Sequence, residues 1–323
     1  MNEYGGYIPL EIPIGKGEYY SGKSVVAVDK GRSAILLAVL SGGFKKIYLP
    51  YYTCPSINDF LRRESDIEIS FYNIDSCFRP VDIKLHEKEC ILWTNYFGVM
   101  NHQVSTEMIQ RFGQSLIVDD TQAFYHAPCA DASFVYSCRK FFGVSDGAYL
   151  WKRDGVSVEL NKGTSSDACV FLAKAYEFGT NGSYDDYLVN EEIISHRPML
   201  KMSGFTQRIL QSIDYKEVYQ RRHTNFMELD KYLGNYNKLL FVRSDIEAPQ
   251  VYPLLIENEL LRDYLIEKKI YIPRWWKKVI IEDHANEFEK YLARYLLPLP
   301  IDQRYDSADM QVMAGIILDF LGG

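Results

Sequence analysis

The chain has 323 residues, of which 47% are hydrophobic and 24% charged, and its formal net charge is −7. That length makes one large domain or two ordinary ones, and the balance excludes a disordered, collagenous or coiled-coil protein. The acidic excess argues against a dedicated nucleic-acid binder, and the longest apolar run, residues 34–40, is far shorter than the ~20 residues of a membrane helix.

Residues 1–20 are rich in Gly and Pro and read as an irregular arm without a secretory leader. A β-like run at 24–28 follows, then a helix over 33–40 bounded by Gly31 and by Gly42-Gly43. Residues 46–49 form a strand stopped by Pro50, 56–63 a helix, 67–71 an alternating strand and 90–94 an apolar strand. An amphipathic helix is predicted over 105–112. The buried strand 116–118 ends in Asp119-Asp120, and 132–136 and 148–151 are again β-like. Strands alternating with helices predict βαβ units and a mostly parallel sheet. Ligands of such sheets bind beyond the carboxyl ends of the strands, so Asp119 is a candidate on that ground alone.

The second half reads as α+β. One long helix is predicted over 207–233 with Gly234 as its stop, then β-like runs at 239–242 and 251–256. A helix at 259–268, a β-like 270–272, and helices at 286–294 and 307–321 complete it. The expected organisation is an arm (1–20), a large α/β domain (21–210) and a smaller C-terminal α+β domain (211–323).

Two constellations compete for the chemistry. Gly17-Glu18-Tyr19-Tyr20-Ser21-Gly22-Lys23-Ser24 matches G-x-x-x-x-G-K-[ST], and the apolar strand ending at Asp119 resembles a magnesium-holding strand. A phosphate loop needs a buried strand before it and a helix after it. Here Pro9 and Pro13 precede it and the β-formers Val25 to Val28 follow, so the context opposes the motif.

The second constellation spans more than a hundred residues. It comprises Gly31-Arg32-Ser33-Ala34 opening a helix, then Leu49-Pro50-Tyr51-Tyr52-Thr53-Cys54-Pro55-Ser56, and Trp93-Thr94-Asn95-Tyr96-Phe97-Gly98. Ile117-Val118-Asp119-Asp120-Thr121-Gln122-Ala123 follows, and Ser137-Cys138-Arg139-Lys140 with Gly147-Ala148-Tyr149-Leu150 closes the series. In order and spacing this resembles the DegT/DnrJ/EryC1/StrS aminotransferases, enzymes of the fold-type-I pyridoxal-phosphate (PLP) architecture. The Leu297-Pro298-Leu299-Pro300 segment before a last helix also fits.

The resemblance implies a mostly parallel seven-stranded sheet flanked by helices, a smaller C-terminal α+β domain, and PLP as cofactor. Lys140 takes the place of the lysine that bonds the cofactor aldehyde and moves the proton. Asp119, three residues before Gln122, takes the place of the carboxylate that keeps the ring nitrogen protonated. Gln122 would meet the phenolic oxygen. The helix start at Arg32, Ser33 and Ala34, with the Ser137 hydroxyl, would hold the phosphate. Tyr52 and Tyr96 are candidates to stack on the ring, because Cys54 stands where relatives often carry an aromatic. Arg274 and Trp275 lie where the family's small domain closes on substrate, and His126 follows the Asp119–Gln122 segment.

Beyond Cys54, this chain departs from the family elsewhere. Ser137 lies only three positions before Lys140, the glycine pair after the lysine is Gly147-Ala148, and the asparagine-bearing segment is not recognisable near Met202. The expected reaction moves an amino group from an amino acid, glutamate, to a nucleotide-linked keto sugar, in a cytoplasmic homodimer with its site at the interface. The setting would be surface-polysaccharide or natural-product sugar synthesis. The alternatives are another PLP reaction, a P-loop NTPase and a non-catalytic relative. Neither the six histidines nor the six cysteines have metal-ligand spacing, so no metal is expected.

Overall fold

The structure, a computed structural model, describes residues 6–8 and 10–322, so residues 1–5 and 9 of the predicted arm lie outside the described residues. Seven strands form one sheet: β1 (Val25–Val28), β2 (Lys46–Pro50), β3 (Glu68–Tyr72), β4 (Glu89–Thr94), β5 (Leu116–Asp119), β6 (Ser133–Ser137) and β7 (Ala148–Trp151). Their order is β1-β7-β6-β5-β4-β2-β3. Pairing is parallel from β3 through β6 and antiparallel on both sides of β7, which therefore runs against the other six. The mostly parallel, helix-flanked sheet read from the sequence is the one observed.

Side chains in a strand alternate between faces, and the sheet separates two cores on that rule. Cys90, Leu92, Ile117, Val135, Ala148 and Leu150 join the core beneath α1 (Gly31–Ser41) and α2 (Pro55–Glu64). Ile91, Trp93, Leu116, Val118, Phe134, Tyr136 and Tyr149 join the opposite core, shared with the C-terminal half. α1 buries every residue from Ser33 to Val39, which is why it is apolar all round. α3 (His102–Phe112) is amphipathic as expected, with Asn101 capping it through the Gln103 N–H.

Two helices, α4 (Val170–Gly182) and α5 (Tyr184–His196), were not legible in the sequence. α4 contains Gly179 at a φ of +74° and buries no residue, so no apolar stripe marks it. The predicted helix over 207–233 is two: α6 (Gly204–Leu210) and α7 (Tyr215–Leu233). Asp214 separates them, its carboxylate accepting the N–H groups of Lys216 and Glu217 at 3.1 Å as an N-cap. The apolar runs 239–242 and 270–272 pair with no strand and are not β structure.

The C-terminal half continues with β8 (Val251–Leu255), α8 (Leu261–Glu267), α9 (Glu287–Tyr295), β9 (Leu296–Pro300) and α10 (Ser307–Gly322), and β8 and β9 form an antiparallel pair. α9 is tied to the large sheet by its own cap. The Glu289 carboxylate accepts the N–H of Asn286 at 2.9 Å and that of Ile74 at 3.1 Å, and Asn286 Nδ2 donates to the Ile74 carbonyl at 2.7 Å. Residues 17–24 form no loop between strand and helix. β1 begins directly after them, as an edge strand, so the phosphate-loop context is absent.

Candidate active site

Several of the predicted site residues lie at the carboxyl ends of the strands. Gly31 follows β1, Asp119 ends β5 and Ser137 ends β6. Strand alternation puts Asp119 and Ser137 on the face of Ile117 and Val135, toward α1, and puts Asp120 on the other face. Adjacent aspartates in the sequence therefore serve different surroundings.

Lys140 stands on a tight turn after β6. The Phe141 and Phe142 N–H groups donate to the Cys138 carbonyl at 3.0 and 2.9 Å, and Cys138 N–H donates to the Gly147 carbonyl at 3.1 Å. From this turn Lys140 Nζ donates to Thr121 Oγ1 at 2.8 Å. Thr121 N–H in turn donates to Asp119 Oδ1 at 3.0 Å, so a single residue bridges the lysine and the aspartate. α1 begins against the same threonine: a Cβ at position 31 would stand 3.1 Å from Thr121 Cγ2, and only glycine leaves that approach open. Ser33 and Ala34 N–H groups turn back to the Lys30 carbonyl, whereas those of Gly31 and Arg32 have no acceptor among the described residues.

Lys140 is solvent-accessible in the single chain, yet protein surrounds it on its inner sides. That desolvation lowers its ammonium pKa, against the opposing pull of Asp119. The Arg32 side chain has other partners. It donates to the Ile194 carbonyl at 3.2 Å and reaches Ser56 Oγ at 3.5 Å. Arg139, beside the lysine, pairs with Glu191 of α5. Ser33 Oγ is sealed within the fold without a hydrogen-bond partner among the described residues, and Ala34 is buried beside it. Cys54 Sγ lies 3.1 Å from Ser56 Oγ, on the edge of the same region.

Gln122 is buried, and its Oε1 accepts the Phe97 N–H at 2.8 Å. Its backbone carbonyl accepts Gln250 N–H at 3.1 Å, and a Cβ at Gly98, whose φ is +80°, would come within 2.4 Å of that carbonyl. The Gln122 carboxamide is thereby held by the turn after β4, with its amide nitrogen left as the remaining donor.

Among the described residues, five other candidates make no hydrogen bond or ring contact with Lys140 or Thr121. Tyr52 and Tyr96 are fully buried, packed on each other with ring centroids 5.6 Å apart, and Trp276 stands edge-on to Tyr52 at 4.5 Å. Protein encloses both rings, so neither has an exposed face. Trp275 stacks on Phe97 at 5.8 Å and 10°, a packing role, and Arg274 beside it is half-buried. His126 Nδ1 lies 2.8 Å from Asp120 Oδ2, and Asn95 Nδ2 donates to Asp120 Oδ1 at 2.9 Å. Burial alone depresses the imidazole pKa, but the Asp120 carboxylate overrides it and lifts His126 to about 9. Because Asp120 faces the opposite side of the sheet from Asp119, so does His126.

Sequence reasoning missed Thr121, which an ordinary polar loop letter does not announce, and Arg222. Arg222 lies buried on α7 with its guanidinium 4.6 Å from the Phe141 ring centroid. It donates to the carbonyls of Phe141, Pro249 and Gln250 at 3.4, 3.3 and 3.2 Å, and Gln303 Nε2 donates to the Phe141 carbonyl at 2.7 Å. One buried cation thus ties the turn bearing Lys140 to the segment that holds Gln122.

No protein-family model and no curated protein matches the sequence. Solved structures match its fold. A DegT DnrJ EryC1 StrS aminotransferase from Brucella abortus aligns over 93% of this chain and 86% of its own, with a TM-score of 0.62 and 14% identity. The sugar aminotransferase CalS13 from Micromonospora echinospora covers 91% of this chain and 86% of its own, with a TM-score of 0.64 and 14% identity. The PLP form of the putative sugar aminotransferase Spr1654 from Streptococcus pneumoniae covers 91% and 86%, with a TM-score of 0.58 and 12% identity. The chain therefore has the fold of the fold-type-I PLP aminotransferases, a likeness carried by architecture with little shared sequence.

Proposed function

We propose that this chain is a PLP-dependent aminotransferase that passes an amino group from an amino acid, glutamate, to a keto sugar carried on a nucleotide. The observation that carries the reading is the convergence of Lys140, Thr121, Asp119 and the Gly31 helix start on one end of a sheet with this fold. The residues fit the cofactor. The glycine approach and the two unclaimed N–H groups of Gly31 and Arg32 suit a phosphate, Asp119 suits a ring nitrogen, and Lys140 suits an aldehyde.

In this reading Lys140 carries the cofactor and then shuttles the proton at the substrate carbon, its lowered pKa favouring the neutral amine that such a base requires. Asp119 keeps the ring nitrogen protonated, fixed by the Thr121 N–H. Gln122 supplies its amide nitrogen to the phenolic oxygen, and Ser137 with the α1 start supports the phosphate. Bound there, PLP supplies an electron sink for the bond broken at the substrate carbon. Arg274 lies within the closing segment and offers a cation to an anionic substrate group.

The same proposal includes the division into 1–20, 21–210 and 211–323, a cytoplasmic setting consistent with six unpaired cysteines, and a homodimer. The dimer is supported by the accessible Lys140 and by apolar residues left uncovered on α4 and α5, where Tyr176 is 96% and Phe178 70% exposed. Among the described residues no helix is long and apolar enough to cross a membrane.

Incubation of the PLP-loaded protein with glutamate and a panel of nucleotide-linked keto sugars tests the reading. Stoichiometric 2-oxoglutarate and aminated sugar, read by mass spectrometry, are expected. Cofactor binding without amination of any sugar in the panel would replace the substrate assignment with another PLP reaction.

A further inference from the structure

We propose that Thr121 is the positioning residue of the candidate lysine: its hydroxyl receives the free amine of Lys140 and holds it on the Asp119 side of the sheet end. The inference rests on the reading of Lys140 as the cofactor-bearing lysine. Three contacts fix the threonine. Its N–H is bound by Asp119 Oδ1 at 3.0 Å, its Oγ1 lies 2.8 Å from Lys140 Nζ, and its methyl abuts the start of α1, where a Cβ at Gly31 would come within 3.1 Å. Thr121 is itself buried and β-branched, so its rotamer is set by packing rather than by the lysine.

Lysine has a flexible four-carbon stem and carries about 2 kcal/mol of rotamer entropy. An accessible lysine such as Lys140 therefore needs a fixed partner to wait in one place. A hydroxyl suits the task because it accepts from an ammonium and donates to a neutral amine, so the lysine stays placed in either protonation state. A carboxylate in that position would favour the ammonium alone. Asp119, the nearest acid of the site, is kept for another role by its parity on the strand and by the Thr121 N–H. Thr121 thus places the amine and the acid relative to one another without joining them.

The test uses the full chain with T121V, which keeps the methyl and the backbone bond to Asp119 and replaces the hydroxyl by a second methyl, and with T121S, which keeps the hydroxyl. In the cofactor-free protein, competitive acylation across pH, read by mass spectrometry of the peptide carrying Lys140, reports the pKa of that amine. In parallel, the growth of visible absorbance on adding PLP reports the rate of its attachment. The bond to the charged amine is the stronger one, so T121V should lower the pKa by about one unit. Compared at equal fractions of neutral amine, attachment should slow about tenfold, because the unheld stem regains its rotamer freedom. T121S should restore both to within about twofold of the parent on the same scale. T121A gives the same two readings should T121V not fold. A T121V protein matching the parent in both would overturn the proposal. A parent that takes up no PLP would instead overturn the functional reading, and the acylation arm would still decide whether Thr121 holds the amine.

Discussion

Glu289 gives a stability prediction whose size follows from its surroundings. The carboxylate is fully buried at the start of α9, where it accepts the N–H groups of Asn286 and Ile74 and so joins the C-terminal half to the main sheet. Burial raises its pKa to about 7, against the lowering effect of those N–H groups. A carboxyl raised in the folded chain contributes stability that is complete below its unfolded pKa of about 4.3 and is lost as pH rises through about 7. At 1.36 kcal/mol per pH unit, the parent should lose about 2–3 kcal/mol from this group between about pH 5 and pH 8. Glu289→Gln has no ionisation and keeps only one acceptor for two N–H groups. It should cost about 1–3 kcal/mol near pH 5, and the gap to the parent should close or reverse near pH 8. Urea unfolding followed by tryptophan fluorescence at several pH values measures both. Parallel curves for parent and variant from pH 5 to pH 8 would refute the argument.

Three further outcomes are expected. Asp119→Asn should keep the cofactor attached to Lys140, as seen by absorbance, but lower kcat about a hundredfold, the loss of a two-unit pKa support for the ring nitrogen. Arg222→Met should lower stability by about 3 kcal/mol in chemical denaturation, since it leaves the Pro249 and Gln250 carbonyls without their donor and weakens the hold on Phe141. His126 has a folded pKa of about 9 against 6.5 in the unfolded chain, so its contribution is complete below 6.5 and is lost as pH rises through 9. His126→Gln should therefore destabilise the protein at pH 6 and flatten its stability profile between pH 7 and pH 9.5, which thermal unfolding across that range would register.

The strands were legible because they are short apolar runs closed by Pro, Gly or Asp, with few shifts at their ends, whereas their order and the antiparallel β7 depend on long-range pairing. Asp119 could be preferred to Asp120 on its spacing to Gln122, and strand alternation supplies the physical reason. Other features depend on tertiary partners. Residues 239–242 have the letters of a strand but no neighbour to pair with, and the helix expected over 207–233 is cut by a cap that a continuous apolar pattern conceals. α4 and α5 lack an apolar stripe because they cover little. Tyr52 and Tyr96 were legible as large rings near the strand ends, but which face they occupy depends on Trp276, more than 170 residues away. Thr121 was invisible for a plainer reason: its meaning lies in what Lys140 and Gly31 bring to it.

The central claim is that Lys140 carries PLP. Absorbance of the purified protein with added PLP, recorded beside Lys140→Ala, tests it most directly, with borohydride reduction and mass spectrometry locating the bound group. A visible band that borohydride removes, a cofactor mass on the peptide containing Lys140, and neither in the variant are the predicted results. No band in the parent, or the same band and mass in Lys140→Ala, would contradict the account.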